Sequence, residues 1–123
     1  MIWTFQRAGH TLSHDGPTPW SCEAHGEAVG NGPLAPGTYT LGAPEYNDPG
    51  ETEDLQSMGP YFIPVLNTPG REAIGIHGGG SAAPHPLAAE QGWYVTLGCI
   101  RLQNIELYHV VLNVTSGDSL VVI

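Results

Sequence analysis

Apolar and polar residues alternate from the first residues onward. Ile2-Trp3-Thr4-Phe5 is rich in residues that favour pleated backbone, Gly9 interrupts, and Thr11-Leu12-Ser13-His14 resumes before Asp15-Gly16. That pattern predicts a hairpin. Residues 15–36 carry the breaker clusters Gly16-Pro17, Gly30-Asn31-Gly32-Pro33 and Ala35-Pro36-Gly37 and read as turns, followed by a strand over 38–41. The acidic stretch 43–59 reads as a surface loop. Tyr61-Phe62-Ile63-Pro64-Val65-Leu66 is apolar, and Pro64 predicts an edge or bulged strand, since it cannot donate to a ladder. Ala73-Ile74-Gly75-Ile76-His77 reads as a buried strand that runs into Gly78-Gly79-Gly80. A loop over 81–92 comes next and leads into Trp93–Arg101, the stretch that contains Cys99. One helix is expected: Asn104 is its candidate cap, and Leu107, Val110, Val111 and Val114 recur at i, i+3, i+4 and i+7. Ser116-Gly117-Asp118 ends it, and residues 119–123 form a terminal strand. The expected architecture is mainly β, about six short strands with one short helix near the C-terminus.

Composition narrows this picture. A chain of 123 residues with 41% hydrophobic and 12% charged residues supports one domain over 1–123 with its own core. The 17 Gly and 11 Pro are scattered, which fits many turns between short strands. The only cations are Arg7, Arg71 and Arg101 against 12 acids, a formal net charge of −9. Such a surface cannot bind nucleic acid through its phosphates and is disfavoured at an anionic membrane. No apolar run approaches the ~20 residues of a membrane span. Residues 1–7 lack a basic region followed by an apolar one, so no secretory signal is read there. Cys22 and Cys99 form either one disulfide or two free thiols.

The chemistry concentrates in residues 74–104. A cysteine nucleophile needs thiolate character, a nearby base and backbone donors aimed at an oxyanion. Cys99 follows Gly98, where the backbone can turn tightly, and precedes Arg101, whose charge can lower a thiol pKa or hold a carboxylate. His77 ends the buried strand and opens onto the glycine run, a perch for a base. His77 and Cys99 stand 22 positions apart, enough for a loop to bring the chain back beside the imidazole.

His77-Gly78, a spacer, and Thr96-Leu97-Gly98-Cys99-Ile100-Arg101-Leu102 resemble the signature of the L,D-transpeptidase catalytic domain, the YkuD-type family. Gly32-Pro33-Leu34-Ala35-Pro36-Gly37-Thr38-Tyr39 resembles the proline-glycine segment that precedes that family's core strands. The N-terminal hairpin looks most like a short subgroup of L,D-transpeptidase-like type VI secretion effectors, which are injected and carry no classical signal. The resemblance implies a β-sandwich-like domain with a small helix, a peptidoglycan stem tetrapeptide as substrate, and action in the bacterial periplasm or cell wall. It also implies possible partners in an immunity protein and secretion machinery, and no cofactor or metal. By position, Cys99 is the nucleophile and His77 the base, the Gly78 carbonyl orients His77, and the N–H groups of Gly98 and Cys99 form the oxyanion hole. Leu97 stands where the family usually has His, which leaves His77 to act alone.

Each residue also has a plainer reading. Arg101 binds the substrate carboxylate or steadies the thiolate, or else ends a strand in an ion pair. Thr96 contacts substrate or hydrogen-bonds within the motif, or reflects strand propensity. Trp93 and Tyr94 wall the cleft or belong to the core. His85, between two prolines, is a loop residue. The acyl-enzyme can be resolved by an amine, by a free D-amino acid or by water. Two other classes compete. A metal hydrolase would use His77, His85 and Cys99, but no tight zinc spacing is present. A non-catalytic wall-binding domain on the same fold is favoured by Leu97.

Overall fold

The computed structural model describes residues 1–123 except 29–31, 48–51, 81–84, 94, 95 and 97. The hairpin forms as its alternation dictates. Strand β1 (Ile2–Gln6) pairs antiparallel with β2 (Thr11–His14), with Trp3 opposite His14 and Phe5 opposite Leu12. Trp3, Phe5 and Leu12 point into the core. The turn holds His10 at φ 51, a left-handed conformation uncommon outside glycine.

The segment 15–36 is not all turn. Strand β3 (Trp20–His25) extends the hairpin into a meander, pairing Cys22 with Leu12. Trp20, Cys22 and Ala24 alternate toward the core, a signal that the flanking breakers obscure. Strand β4 (Gly37–Leu41) follows. The acidic segment also departs from the loop expectation: it holds β5 (Glu45–Tyr46) and α1 (Thr52–Met58). Tertiary contacts stabilise this helix, because a seven-residue helix is marginal alone.

Strands β6 (Tyr61–Leu66), β7 (Gly75–His77) and β8 (Ile100–Leu102), helix α2 (Asn104–Asn113) and β9 (Ser119–Val122) complete the fold. The strand order is β4-β9-β1-β2-β3-β8-β7-β6-β5, and β4 also pairs with β6. That last pairing closes the sheet into a mainly β, barrel-like sandwich. β6 is therefore an interior strand rather than an edge. Pro64 is tolerated because it lies where its partner passes from β4 to β5; Leu66 and Val65 pair with β4, Phe62 and Tyr61 with β5. Its carbonyl still accepts from Gly42 N–H at 2.8 Å.

Helix α2 buries Leu107 and Val110, with Val111 and Val114 partly buried against the same core. Its cap position is Gln103, with no side-chain cap, so the capping role expected of Asn104 is not observed. Asn104 is fully buried and its amide is used elsewhere.

Candidate active site

Strands β7 and β8 run parallel, with Ile76 beside Ile100 and His77 beside Arg101. Side chains alternate along a strand, so Ile76, Ile100 and Leu102 enter the core while His77 and Arg101 share the opposite face. Cys99, one residue before β8, continues that face diagonally from His77. Phe62 pairs with His77 and Pro64 with Gly75, which adds β6 to the same surface. All residues of β7 and β8 are buried, so this outer face is covered rather than open to water.

Helix α1 provides part of the cover, and the join is made of hydrogen bonds. A helix leaves its last carbonyls without internal partners. Here Gln56 O accepts from Gly80 N–H and Met58 O from Gly78 N–H, both at 2.8 Å. Ser57 O accepts from the Arg101 guanidinium at 3.1 Å. The last turn of α1 has no basic residue of its own, and the Arg101 charge complements its dipole. Arg101 also donates to Gly78 O at 2.8 Å, the carbonyl that faces His77 Nδ1 at 2.9 Å. His77 and Arg101 thus converge on one oxygen. This bond makes Nδ1 the protonated nitrogen and leaves Nε2 as the basic one.

Asn104 binds the surrounding loops together. Its Oδ1 accepts from Gly79 N–H at 2.9 Å, and its Nδ2 donates to Pro86 O and Ala88 O at 2.8 Å each. The glycine run is packed, not a loose tether. A methyl group on Gly78 would strike Asn104, and one on Gly79, whose φ is 66, would strike the Met58–Gly59 backbone.

The thiol of Cys99 is buried and donates to Ala73 O at 3.4 Å. Burial raises its pKa, opposed by the Gly75 N–H and by the Arg101 and Arg71 charges. Burial pushes His77 down to about 4, helped by the Arg101 charge and opposed by the bond to Gly78 O. At neutral pH the pair is a thiol and a neutral imidazole.

Thr96 is buried, accepts from Gly98 N–H at 3.1 Å and donates to Cys99 O at 2.8 Å. Its hydroxyl thus locks the turn that presents Cys99. Gly98 sits at φ 124, a backbone conformation that L side chains rarely adopt, with the Arg71 guanidinium against it. Its N–H already serves Thr96, so an oxyanion at Gly98 would compete with that hydroxyl. Trp93 is half-buried, its ring 4.2 Å from that of His25. His85 lies in the loop and contributes its carbonyl to Gln91. Tyr94 and Leu97 fall outside the described residues.

Phe62, Arg71 and Asn104 contribute in ways that residue spacing does not show. A groove of about 670 Å³ runs beside the site, lined by Phe62, Pro64, Arg71 and Ala73 among others. The Phe62 ring lies over Gly75 and 6.2 Å from the His77 ring. Arg71 donates to Gly32 O at 2.9 Å and so ties the segment before β4 to the site. Its scarcity as one of three cations was the available hint. Asn104 was visible as a residue, but not in this role.

The model of the YkuD family, the L,D-transpeptidase catalytic domain, matches residues 20–123. The chain belongs to this family. Solved structures share the L,D-transpeptidase fold at low identity. The structure of Bdellovibrio bacteriovorus Bd1075 superposes with a TM-score of 0.70 at 14% identity, covering 99% of this chain and 47% of that one. An L,D-transpeptidase (Yku) from Stackebrandtia nassauensis gives 0.68 at 15%, covering 99% and 54%. L,D-transpeptidase 3 from Mycobacterium tuberculosis, in complex with a faropenem-derived adduct, gives 0.59 at 17%, covering 98% and 59%. The chain thus spans about half to three-fifths of those L,D-transpeptidase-fold chains. No curated protein matches it in sequence. Among the described residues, no helix is long and apolar enough to cross a membrane.

Proposed function

We propose that this domain is a cysteine acyltransferase acting on peptidoglycan stem tetrapeptides in the periplasm or cell wall. The observation that carries the reading is the shared covered face of β7 and β8, with His77 held by the Gly78 carbonyl and Cys99 diagonal to it. For reaction the thiol gives up its bond to Ala73 O and turns to His77. The thiol proton passes to His77 Nε2 as sulfur attacks the carbonyl before the terminal D-Ala. The Cys99 N–H is the available oxyanion donor, with Gly98 N–H joining once Thr96 yields it. His77 then protonates the departing amine, leaving a thioester on Cys99. An amine of a second stem gives a crosslink, a free D-amino acid gives exchange, and water gives carboxypeptidase activity. Arg101 acts through the Gly78 carbonyl and its charge near the sulfur. Delivery as an antibacterial type VI effector, with a cognate immunity protein, is the finer form of this proposal.

The test is mass spectrometry of tetrapeptide muropeptides after incubation, with faropenem acylation of Cys99 as a second readout. Tripeptide, exchanged or dimeric products and a Cys99 adduct are expected. His77→Ala should suppress both. Turnover that survives Cys99→Ala overturns the nucleophile. Directing the domain to the periplasm of a sensitive bacterium tests the effector form, with lysis or shape change expected. The buried thiol aimed at Ala73 favours one rival, a wall-binding domain without turnover. Binding to intact wall without products or adduct would establish it.

A further inference from the structure

The end of β3 faces the turn between β1 and β2 across a group of side chains that the proposed chemistry does not use. His10, His25 and Glu27 each bring one ligand atom to within 4.8 Å of the others. His10 Nδ1 lies 3.1 Å from Glu27 Oε1, and His25 Nδ1 lies 3.4 Å from Glu27 Oε2. His10 Nδ1 is buried at the atom level yet makes no hydrogen bond of acceptable geometry. His25 is oriented from its other side: Nε2 stands 2.6 Å from Glu23 Oε2. A ring N–H given to a carboxylate leaves the opposite nitrogen with its lone pair, and this is how metal-bound imidazoles are commonly held. The lone pair of His25 Nδ1 then faces Glu27.

We propose that His10, His25 and Glu27 bind one divalent cation of the zinc class, with Glu23 fixing the tautomer of His25. Two imidazoles and one carboxylate suit zinc, cobalt or nickel, and not calcium or magnesium, which prefer all-oxygen shells. Three protein ligands leave a fourth position for water. The two rings are stacked, with centroids 4.3 Å apart and planes 16° apart, so binding opens the stack until both nitrogens point at the ion. His10 closes the hairpin turn and Glu27 sits beside the cysteine loop, its carbonyl accepting from Thr96 N–H at 3.3 Å. The ion therefore clamps the hairpin to the segment that supports that loop. It takes no part in acyl transfer.

The experiment uses tag-free protein stripped of metal. Cobalt is titrated by visible absorption and zinc by competition with a chromophoric chelator, in wild type and in H10Q, E27Q and E23Q. One equivalent is expected, with a zinc-dependent rise in melting temperature. H10Q and E27Q should lose the tight equivalent, and E23Q should bind roughly 10–100-fold more weakly. Matching melting temperatures of the stripped proteins show that the variants fold. The proposal is overturned by absence of stoichiometric uptake, by undiminished affinity in both H10Q and E27Q, or by a thiolate-to-cobalt band, which would put the metal on a cysteine. Faropenem acylation is measured on the same stripped protein. It should persist, so failure of the metal site and failure of the acyltransferase reading appear in separate measurements.

Discussion

Strands β1, β2 and β9 belong to the same sheet as β6, β7 and β8, but the two groups meet solvent differently. In the first, Trp3, Phe5, Leu12, Leu120 and Val122 fill the core, while Thr4, Ser13, Ser119 and Val121 remain partly exposed on the outer face. In the second, Ile63, Ile76 and Ile100 fill the core, but His77, Cys99 and Arg101 on the outer side are buried too. The first group holds chiefly through apolar alternation, and its few buried polar groups meet at its rim, where Asp118 accepts from Trp3 Nε1 and the N-terminal amine and His14 faces His109. The second has to satisfy buried polar groups one at a time, from the carbonyls of α1, the Gly78 carbonyl and the Asn104 amide. The cysteines follow the same division. Cys22 lies between β2 and β8, and burial with the nearby Glu106 and Glu23 charges pushes its thiol up to about 12. Cys99 is the more buried of the two, but two guanidinium charges and a backbone N–H lean the other way. On the proposed reading, the reactive thiol is the one whose burial is counterbalanced by charge.

The sharpest way to break this contrast is at the thiols. Cys99→Ala should lower acyl transfer by roughly 10⁴-fold or more, in line with loss of a nucleophile from a cooperating set. Cys22→Ala should leave it unchanged, as muropeptide turnover would show. Next, Asn104→Ala strands a buried N–H and two carbonyls and should cost about 2–4 kcal/mol in chemical denaturation. Asn113→Ala, nine positions along the same helix and exposed, should stay within about 0.5 kcal/mol.

A third test uses pH. His77 is held at about 4 in the fold against about 6.5 unfolded, so the unfolded chain binds the extra proton as pH falls. Stability should therefore be flat above about 6.5 and decline toward about 4. In His77→Gln most of that decline should vanish. His109, on α2 where it packs against β2 of the first region, is lowered by burial and by its neighbour His14, whose Nε2 lies 3.0 Å away. His109→Gln should remove a smaller part of the decline in the same direction. Thermal melts from pH 8 to 4 separate the two. A steeper dependence from His109 would reverse the comparison. The smallest effect is in labelling: iodoacetamide at neutral pH should modify Cys99 slowly and Cys22 more slowly still, read by peptide mapping.

The N-terminal hairpin, β4, the apolar face of β6, the α2 stripe and β9 could all be read from the chain, because each is a local period of apolar residues that one sheet or helix face requires. The His77–Gly78 and Gly98–Cys99 pairs were legible as a family signature. Strand β3 and helix α1 were not: the first is hidden among breakers, and the second holds only through partners in β7, β8 and the glycine run. Pro64 suggests an edge or a bulge; the edge does not occur, because its missing donor falls at the junction of two partner strands, where the register shifts by one residue. The position of Asn104 fits a cap, but a buried amide is drawn to the backbone groups that lack other partners.

Sequence alone determined which strands have an apolar side and which residue types are present for chemistry, since both are local. Tertiary structure decided which polar groups share a covered face, which carbonyl His77 and Arg101 both claim, and that Gly98 N–H is held by Thr96. Those outcomes depend on hydrogen-bond partners that lie 20 or more positions apart for several of these groups, as from Arg101 to Ser57 and to Gly78. They arise only when burial removes water and each polar atom must find another.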